Sequence, residues 1–135
     1  MTQLLPHVEI ETNTHPDASI IWLHGLGADG HDFEPIVDQL ALPKDAAIRF
    51  IFPHAPSLPV TINGGAVMPA WYDILEMSIE REVDETQLKK SAVAINDFIN
   101  NEIARGISSE RIVIAGFSQG GAVAFEVALS SPQKL

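Results

Sequence analysis

The chain has 135 residues, 46% of them hydrophobic, and a formal charge of −10 from 18 acidic against 8 basic side chains. That balance repels phosphate backbones and anionic headgroups, so it sets nucleic acid aside as a partner and reads as a solvated acidic surface. The absence of cysteine excludes disulfides, thiolate metal sites and a cysteine nucleophile, and no apolar run approaches the roughly 18 residues that suggest a membrane span.

The N-terminus, Met1 to Thr12, carries Glu9 and Glu11 and no basic residue, unlike a secretory signal, which points to a cytoplasmic protein without stable membrane insertion. No repeat, low-complexity segment or linker interrupts the chain, so residues 1–135 read as one domain or part of one. Val8 to Glu11 suits a short edge strand. Ser19-Ile20-Ile21-Trp22-Leu23 is a continuous apolar run ending at His24-Gly25, the pattern of a strand buried on both faces. Phe33, Ile36, Val37 and Leu40 recur at three- and four-residue steps and predict a short amphipathic helix. Ile48-Arg49-Phe50-Ile51-Phe52, closed by Pro53, is a second buried strand.

Residues 53–72 fit neither period. Pro53, Pro56, Pro59 and Pro69, with Asn63-Gly64-Gly65, forbid a helix or a central strand. Val60, Met68, Trp71 and Tyr72 give this segment apolar matter to pack, which predicts an ordered loop near a site. The longest helix is expected from about Glu85 to Arg105, with Asp84 as N-cap and Gln87 closing a capping box. Leu88, Ala92, Ile95, Ile99 and Ile103 form its apolar face, and Gly106 ends it. Arg111-Ile112-Val113-Ile114-Ala115 is a third strand. A last helix follows Ser118 through Ala122, Phe125 and Leu129, and stops near Pro132. Strands alternating with helices argue for a mainly parallel sheet with helices on both faces.

Chemistry concentrates at Gly116-Phe117-Ser118-Gln119-Gly120, a G-x-S-x-G sequence between a buried strand and a helix that starts in small residues. Bare matches arise often by chance, and the strand before and helix after carry the reading. Such an elbow holds a serine in a strained turn, with glycines letting strand and helix approach, and sets the hydroxyl above a helix N-terminus. A second motif, His24-Gly25-Leu26-Gly27, follows the first buried strand. Acyl transfer needs two N–H donors aimed at the developing alkoxide, and the backbone amides of Leu26 and Gln119 are the candidates. Losing one such donor typically costs about 3–4 kcal/mol of barrier. The side chains of these two residues carry less weight than their amides. The scattered histidines lack ligand spacing, so neither metal nor other cofactor is expected.

With both motifs in place, the chain resembles the phospholipase/carboxylesterase family of α/β-hydrolases, which includes the acyl-protein thioesterases. The resemblance rests on His24-Gly25-Leu26-Gly27-Ala28-Asp29-Gly30, Pro53-His54-Ala55-Pro56 and Pro59-Val60-Thr61-Ile62-Asn63-Gly64-Gly65. Ala70-Trp71-Tyr72-Asp73-Ile74 and the stretch from Gly116 to Ala122 continue it in the same order, from about residue 8 to the end. The proline-rich loop looks most like bacterial carboxylesterases of the group. The resemblance implies an α/β-hydrolase fold and a serine hydrolase acting on carboxylic esters, thioesters or lysophospholipids, with Ser118 as nucleophile. It also implies that the 53–72 loop and the segment after it border an acyl groove for a small-molecule ester or acyl substrate. Trp71, Leu75 and Met77 are the candidate substrate contacts, with Ile79 alongside.

In this fold the acid and the histidine follow the nucleophile in sequence. After Ser118 only seventeen residues remain, with Glu126 as the one acid and no histidine. Of the five histidines, His24 reads as a brace for the oxyanion loop, His31 and His54 sit in loops, and His7 and His15 lie near the N-terminus. Losing the base of a serine-protease triad costs on the order of 10⁶ in turnover, so the chain alone is expected to be nearly inert. It reads as the N-terminal part of a single α/β-hydrolase domain, truncated after the elbow helix, with an unpaired central strand exposed as an edge. Two alternatives stay open: a non-catalytic protein holding an acyl ligand, and an interaction fragment that forms a homodimer through that edge.

Overall fold

A computed structural model describes residues 3–75, 83–132 and 134–135. Four strands form its main sheet in the order β1-β3-β2-β6. β2 (Ala18–Leu23), β3 (Ile48–Pro53) and β6 (Ile112–Gly116) run parallel, and β1 (His7–Glu11) lies antiparallel against β3 at one edge. The apolar runs read from sequence are these strands, with ends shifted by a residue or two. Alternation along β2 sends Ser19, Ile21 and Leu23 to one face, all 0% exposed, and leaves Ile20 and Trp22 on the other.

Two long helices cover the first face. α2 (Glu85–Ala104) and α3 (Gln119–Ser130) pack against each other, and Ile95, Phe98, Ile99, Val123 and Val127 join Ile21, Leu23, Ile51 and Ile112 in the core. On the opposite face, the Phe33 ring packs 5.4 Å from Trp22. The helix expected around Phe33 to Leu40 is shorter than its periodicity suggests. A 3₁₀ turn (Gly30–Phe33) is followed by a single α-helical turn, α1 (Ile36–Gln39), which starts at Pro35. The missing N–H and fixed φ of Pro35 suit a helix start and prevent a continuous helix through it.

α2 behaves as its sequence predicts at both ends, with one difference. The Asp84 carboxylate accepts the Gln87 N–H at 2.9 Å, and Gly106, at φ 98°, follows the C-cap Arg105. The expected reciprocal bond from Gln87 is absent because the Asp84 N–H already donates to the Asp73 carbonyl. The Gln87 Oε1 instead accepts the Asp73 N–H at 2.7 Å, tying α2 to the loop before it. In α3 the core face consists of Gln119, Gly120, Val123 and Val127, whereas Phe125 and Leu129 are 73% and 84% exposed.

The proline-rich segment is ordered, and it carries regular structure that its prolines obscure. β4 (Ser57–Val60) and β5 (Ala66–Pro69) form a separate antiparallel ribbon joined by a 3₁₀ turn at Thr61–Asn63. A two-stranded ribbon has two free edges, so Pro59 and Pro69 sit in it without breaking a central ladder. Thr61 fixes its turn, donating its N–H and its hydroxyl to the Asp73 carboxylate at 2.7 and 2.5 Å. These bonds hold the Asp73 carboxyl below its usual pKa.

At the end of the sheet where β2 and β3 begin, Glu102 of α2 is 0% exposed and Arg49 of β3 is 7% exposed. The Glu102 Oε1 accepts from the Arg49 Nη1 at 2.7 Å and from the Ser19 hydroxyl at 2.6 Å, while its Oε2 accepts from Arg105 at 3.1 Å. Glu11 takes the Arg49 Nε at 2.9 Å. Removing one partner of a buried pair leaves the other charge uncompensated. Glu102→Ala is therefore expected to cost about 3–5 kcal/mol, read as a lowered urea midpoint at unchanged slope. A loss within about 0.5 kcal/mol, the range of a surface substitution, would show that water reaches Arg49.

Candidate active site

The site forms where β2 and β6 end side by side, with Leu23 paired to Gly116. Gly116 and Gly120 have no room for side chains. A Cβ on Gly116 would lie 2.3 Å from the Gly120 carbonyl oxygen, and one on Gly120 would lie 2.3 Å from the Leu23 oxygen. This contact brings the start of α3 against the end of β2 and turns the chain through Ser118. Ser118 takes φ 55° and ψ −116°, a conformation that costs a residue with a Cβ of order 1–3 kcal/mol. Bonds on both sides hold it there: the Phe117 N–H donates to Leu23 and the Gly120 N–H to Phe117, each at 3.0 Å.

Next to the exposed serine, the loop from His24 to Ala28 is fastened by its neighbours. The Gly27 N–H donates to the Pro69 carbonyl of β5 at 2.9 Å, and the Ala28 N–H to Gly25 at 3.2 Å. The backbone N–H groups of Leu26 and Gln119 find no acceptor among the described residues. Leu26, Ser118 and Gln119 share the lining of one cavity of about 210 Å³ with Tyr72 and Ile74. The two amides singled out by sequence are thus brought to the serine.

The side chain of Gln119 matters more than its sequence position suggests. It is 4% exposed, accepts the Trp71 N–H through Oε1 at 2.8 Å and donates its Nε2 to the Tyr72 carbonyl at 2.7 Å. Trp71 lines a separate cavity of about 310 Å³ with Pro56, Leu58 and Ser91. It is 1% exposed, its indole N–H donates to the His24 carbonyl at 2.8 Å, and its own carbonyl accepts the Ser91 hydroxyl. With its N–H satisfied and its surface covered, Trp71 braces the site from beneath. Leu75 is 42% exposed beyond Ile74, and Met77 and Ile79 lie outside the described residues.

His24 acts as the brace that its position predicts. The ring is 0% exposed, stacks 5.1 Å from Trp71, and accepts the Ala55 N–H through Nε2 at 3.0 Å. That bond places the ring proton on Nδ1, which donates to the Gly25 carbonyl at 2.7 Å. Burial pushes the ring below the usual histidine pKa, against the weaker opposing pull of its Gly25 bond. His54 accepts the Gly30 N–H through Nδ1 at 3.0 Å, and His31 is paired with Glu34. The His7 ring bonds the Leu5 carbonyl and stands edge-on to Phe98. Among the described residues, no side chain hydrogen-bonds the Ser118 hydroxyl, and no group of three or more His, Asp or Glu side chains could hold a metal.

Comparisons with known proteins agree with this geometry. The phospholipase/carboxylesterase family model matches residues 5–135. Acyl-protein thioesterase 1 of Schizosaccharomyces pombe is 41% identical over 135 residues, covering 100% of this chain and 59% of its own length. The crystal structure of Arabidopsis thaliana SOBER1 superposes with a TM-score of 0.83 at 38% identity, over 87% of this chain and 57% of that one. Zea mays acyl-protein thioesterase 2 gives 0.78 at 31% identity, over 92% and 51%. The Bacillus cereus carboxylesterase, at 23% identity, a TM-score of 0.65 and coverage of 90% and 51%, shares the fold. The chain belongs to the phospholipase/carboxylesterase family and has its α/β-hydrolase fold. It spans a little over half the length of these relatives.

Two outcomes follow from the elbow and its brace. Ser118→Gly removes the Cβ that the turn strains, and Ser118→Ala keeps it, so the glycine variant is expected to be more stable by about 1 kcal/mol. Equal urea midpoints would show an unstrained turn. For His24, the neutral ring is favoured by folding, so its contribution to stability is complete above the unfolded pKa of about 6.5. The contribution is lost as pH falls through the lower folded value, because the unfolded chain then binds a proton that the native ring excludes. Ring nitrogen shifts at pH 6 should still report the Nδ1–H tautomer, whereas a ring titrating near 6.5 would contradict the buried pair of bonds.

Proposed function

We propose that the protein is a serine hydrolase of carboxylic esters and thioesters that works through an acyl-enzyme on Ser118. One observation carries this reading: a serine held at positive φ shares a cavity with Leu26 and Gln119, whose backbone N–H groups have no acceptor among the described residues. The Ser118 hydroxyl attacks the substrate carbonyl and yields its proton to a base. The carbonyl oxygen, now negative, is held by the Leu26 and Gln119 amides, assisted by the positive end of α3. The alcohol or thiol leaves with a proton, and water then cleaves the acyl-serine to release the acid and restore the hydroxyl. The apolar wall of Ile74 and Leu75 receives the acyl chain. Relatives named as acyl-protein thioesterases support the thioester part of this reading.

The base comes from outside the described residues, because His24 has both ring nitrogens bonded and no other described side chain reaches the serine. Intact mass spectrometry with a fluorophosphonate, which adds to base-activated serines, tests both parts. The 135-residue chain should keep its mass. A chain supplied with the remaining length of the relatives should gain one adduct, which Ser118→Ala removes. An adduct that survives Ser118→Ala overturns the nucleophile, as does an extended chain that folds and does not label. An adduct on Ser118 in the 135-residue chain overturns the external base.

A further inference from the structure

A second cavity, of about 280 Å³, is also lined by Ser118. Leu26 and Ser118 belong to both cavities, so a substrate whose carbonyl lies between the two backbone amides reaches into each. The further walls of the second are Ala28, Asp32, Phe33 and Phe117. The Phe33 and Phe117 rings stand 5.8 Å apart at 56°, two angled aromatic walls, and Phe117 is 61% exposed. Asp32 contributes a carboxylate whose Oδ2 accepts the Asp29 N–H at 3.1 Å, while its Oδ1 takes no bond from a described residue.

Among the described residues no ion pair forms to this carboxylate. The chain has no lysine or arginine before Lys44 and none from Ile112 to Gln133, the two stretches that build the cavity. The nearest basic side chain in sequence, His31, is committed to Glu34. Asp29 and Glu34 lie in the same turn and add to the negative field. The geometry points to a subsite for the leaving group of the substrate, and specifically for one that carries a quaternary ammonium. Two phenyl faces attract a cation through their quadrupoles yet offer no hydrogen-bond acceptor. A primary ammonium against these rings finds one free carboxylate oxygen for its three N–H groups, whereas a trimethylammonium has no N–H to satisfy. The single carboxylate supplies the counter-charge at the rim.

This inference rests on the hydrolase reading for its placement beside the reaction, so its test uses binding alone. Ser118→Ala protein with labelled phenylalanine rings is titrated with choline, with its neutral isostere 3,3-dimethylbutan-1-ol, and with butylammonium. Choline should move the Phe33 and Phe117 resonances and bind about threefold to tenfold more tightly than the isostere. Asp32→Asn keeps an oxygen for the Asp29 N–H and removes the charge, and it should reduce that ratio toward one. Phe117→Leu should weaken choline and leave the isostere nearly unchanged. Equal binding of choline and the isostere overturns the subsite, as does a ratio indifferent to Asp32→Asn. Tighter binding of butylammonium than of choline overturns the quaternary preference. None of these readings changes if Ser118 proves not to be a nucleophile.

Discussion

The arrangement around Ser118 depends on a buried knot of polar bonds centred on His24 and Trp71. The His24 ring joins Gly25 to Ala55, its carbonyl receives the Trp71 indole, and Gln119 reaches from the start of α3 to the backbone at Trp71 and Tyr72. Each bond satisfies a group that would cost about 1–3 kcal/mol if buried unpaired. Four chain segments that are distant in sequence are therefore held in a single position. The loop after β2, the elbow and the segment under the cavity are thereby tied to one another. Neither glycine motif alone provides this, since glycines permit close approach and supply no attraction.

Strain at the serine is affordable because it is concentrated in one residue while its support is spread over many. Van der Waals exclusion at Gly116 and Gly120 fixes the distance between β2, β6 and α3, and hydrogen bonds on either side of Ser118 fix the turn. The opposite end of the sheet is closed by a different device. There Glu102, Arg49 and Ser19 form a charged contact that draws α2 onto the starts of β2 and β3. The sheet is thus clamped at one end by ions and at the other by neutral polar bonds, and the neutral set sits at the end where a negative oxyanion would form.

Much of this was legible in the residues. The apolar runs of β2, β3 and β6 are strands, with β3 buried on both faces and β6 exposing Val113 on one, and Gly116 to Gly120 declares a close contact because no other residue fits there. What escaped reading depends on distant partners. Glu102 lies among the apolar positions of α2 as a charge that pattern reasoning sends to solvent, and its partner Arg49 is 53 positions away. Arg49 inside an apolar strand was the available signal. The role of the Gln119 side chain needed the 70–72 backbone beside it, 47 and 48 positions away. The β4–β5 ribbon was hidden by prolines that only a central strand would reject. In α3, helical spacing alone could not decide between Val123 with Val127 and Phe125 with Leu129.

β6 pairs only with β2 among the described residues, and it carries Val113, 54% exposed. Such an edge invites a second copy to extend the ladder. Each copy also carries a net charge of −10, so two of them must approach through mutual repulsion whose range is set by dissolved ions. Colloidal stability of the chain is in this sense borrowed from its surroundings. In dilute buffer the charge holds copies apart over a long range, and added salt shortens that range.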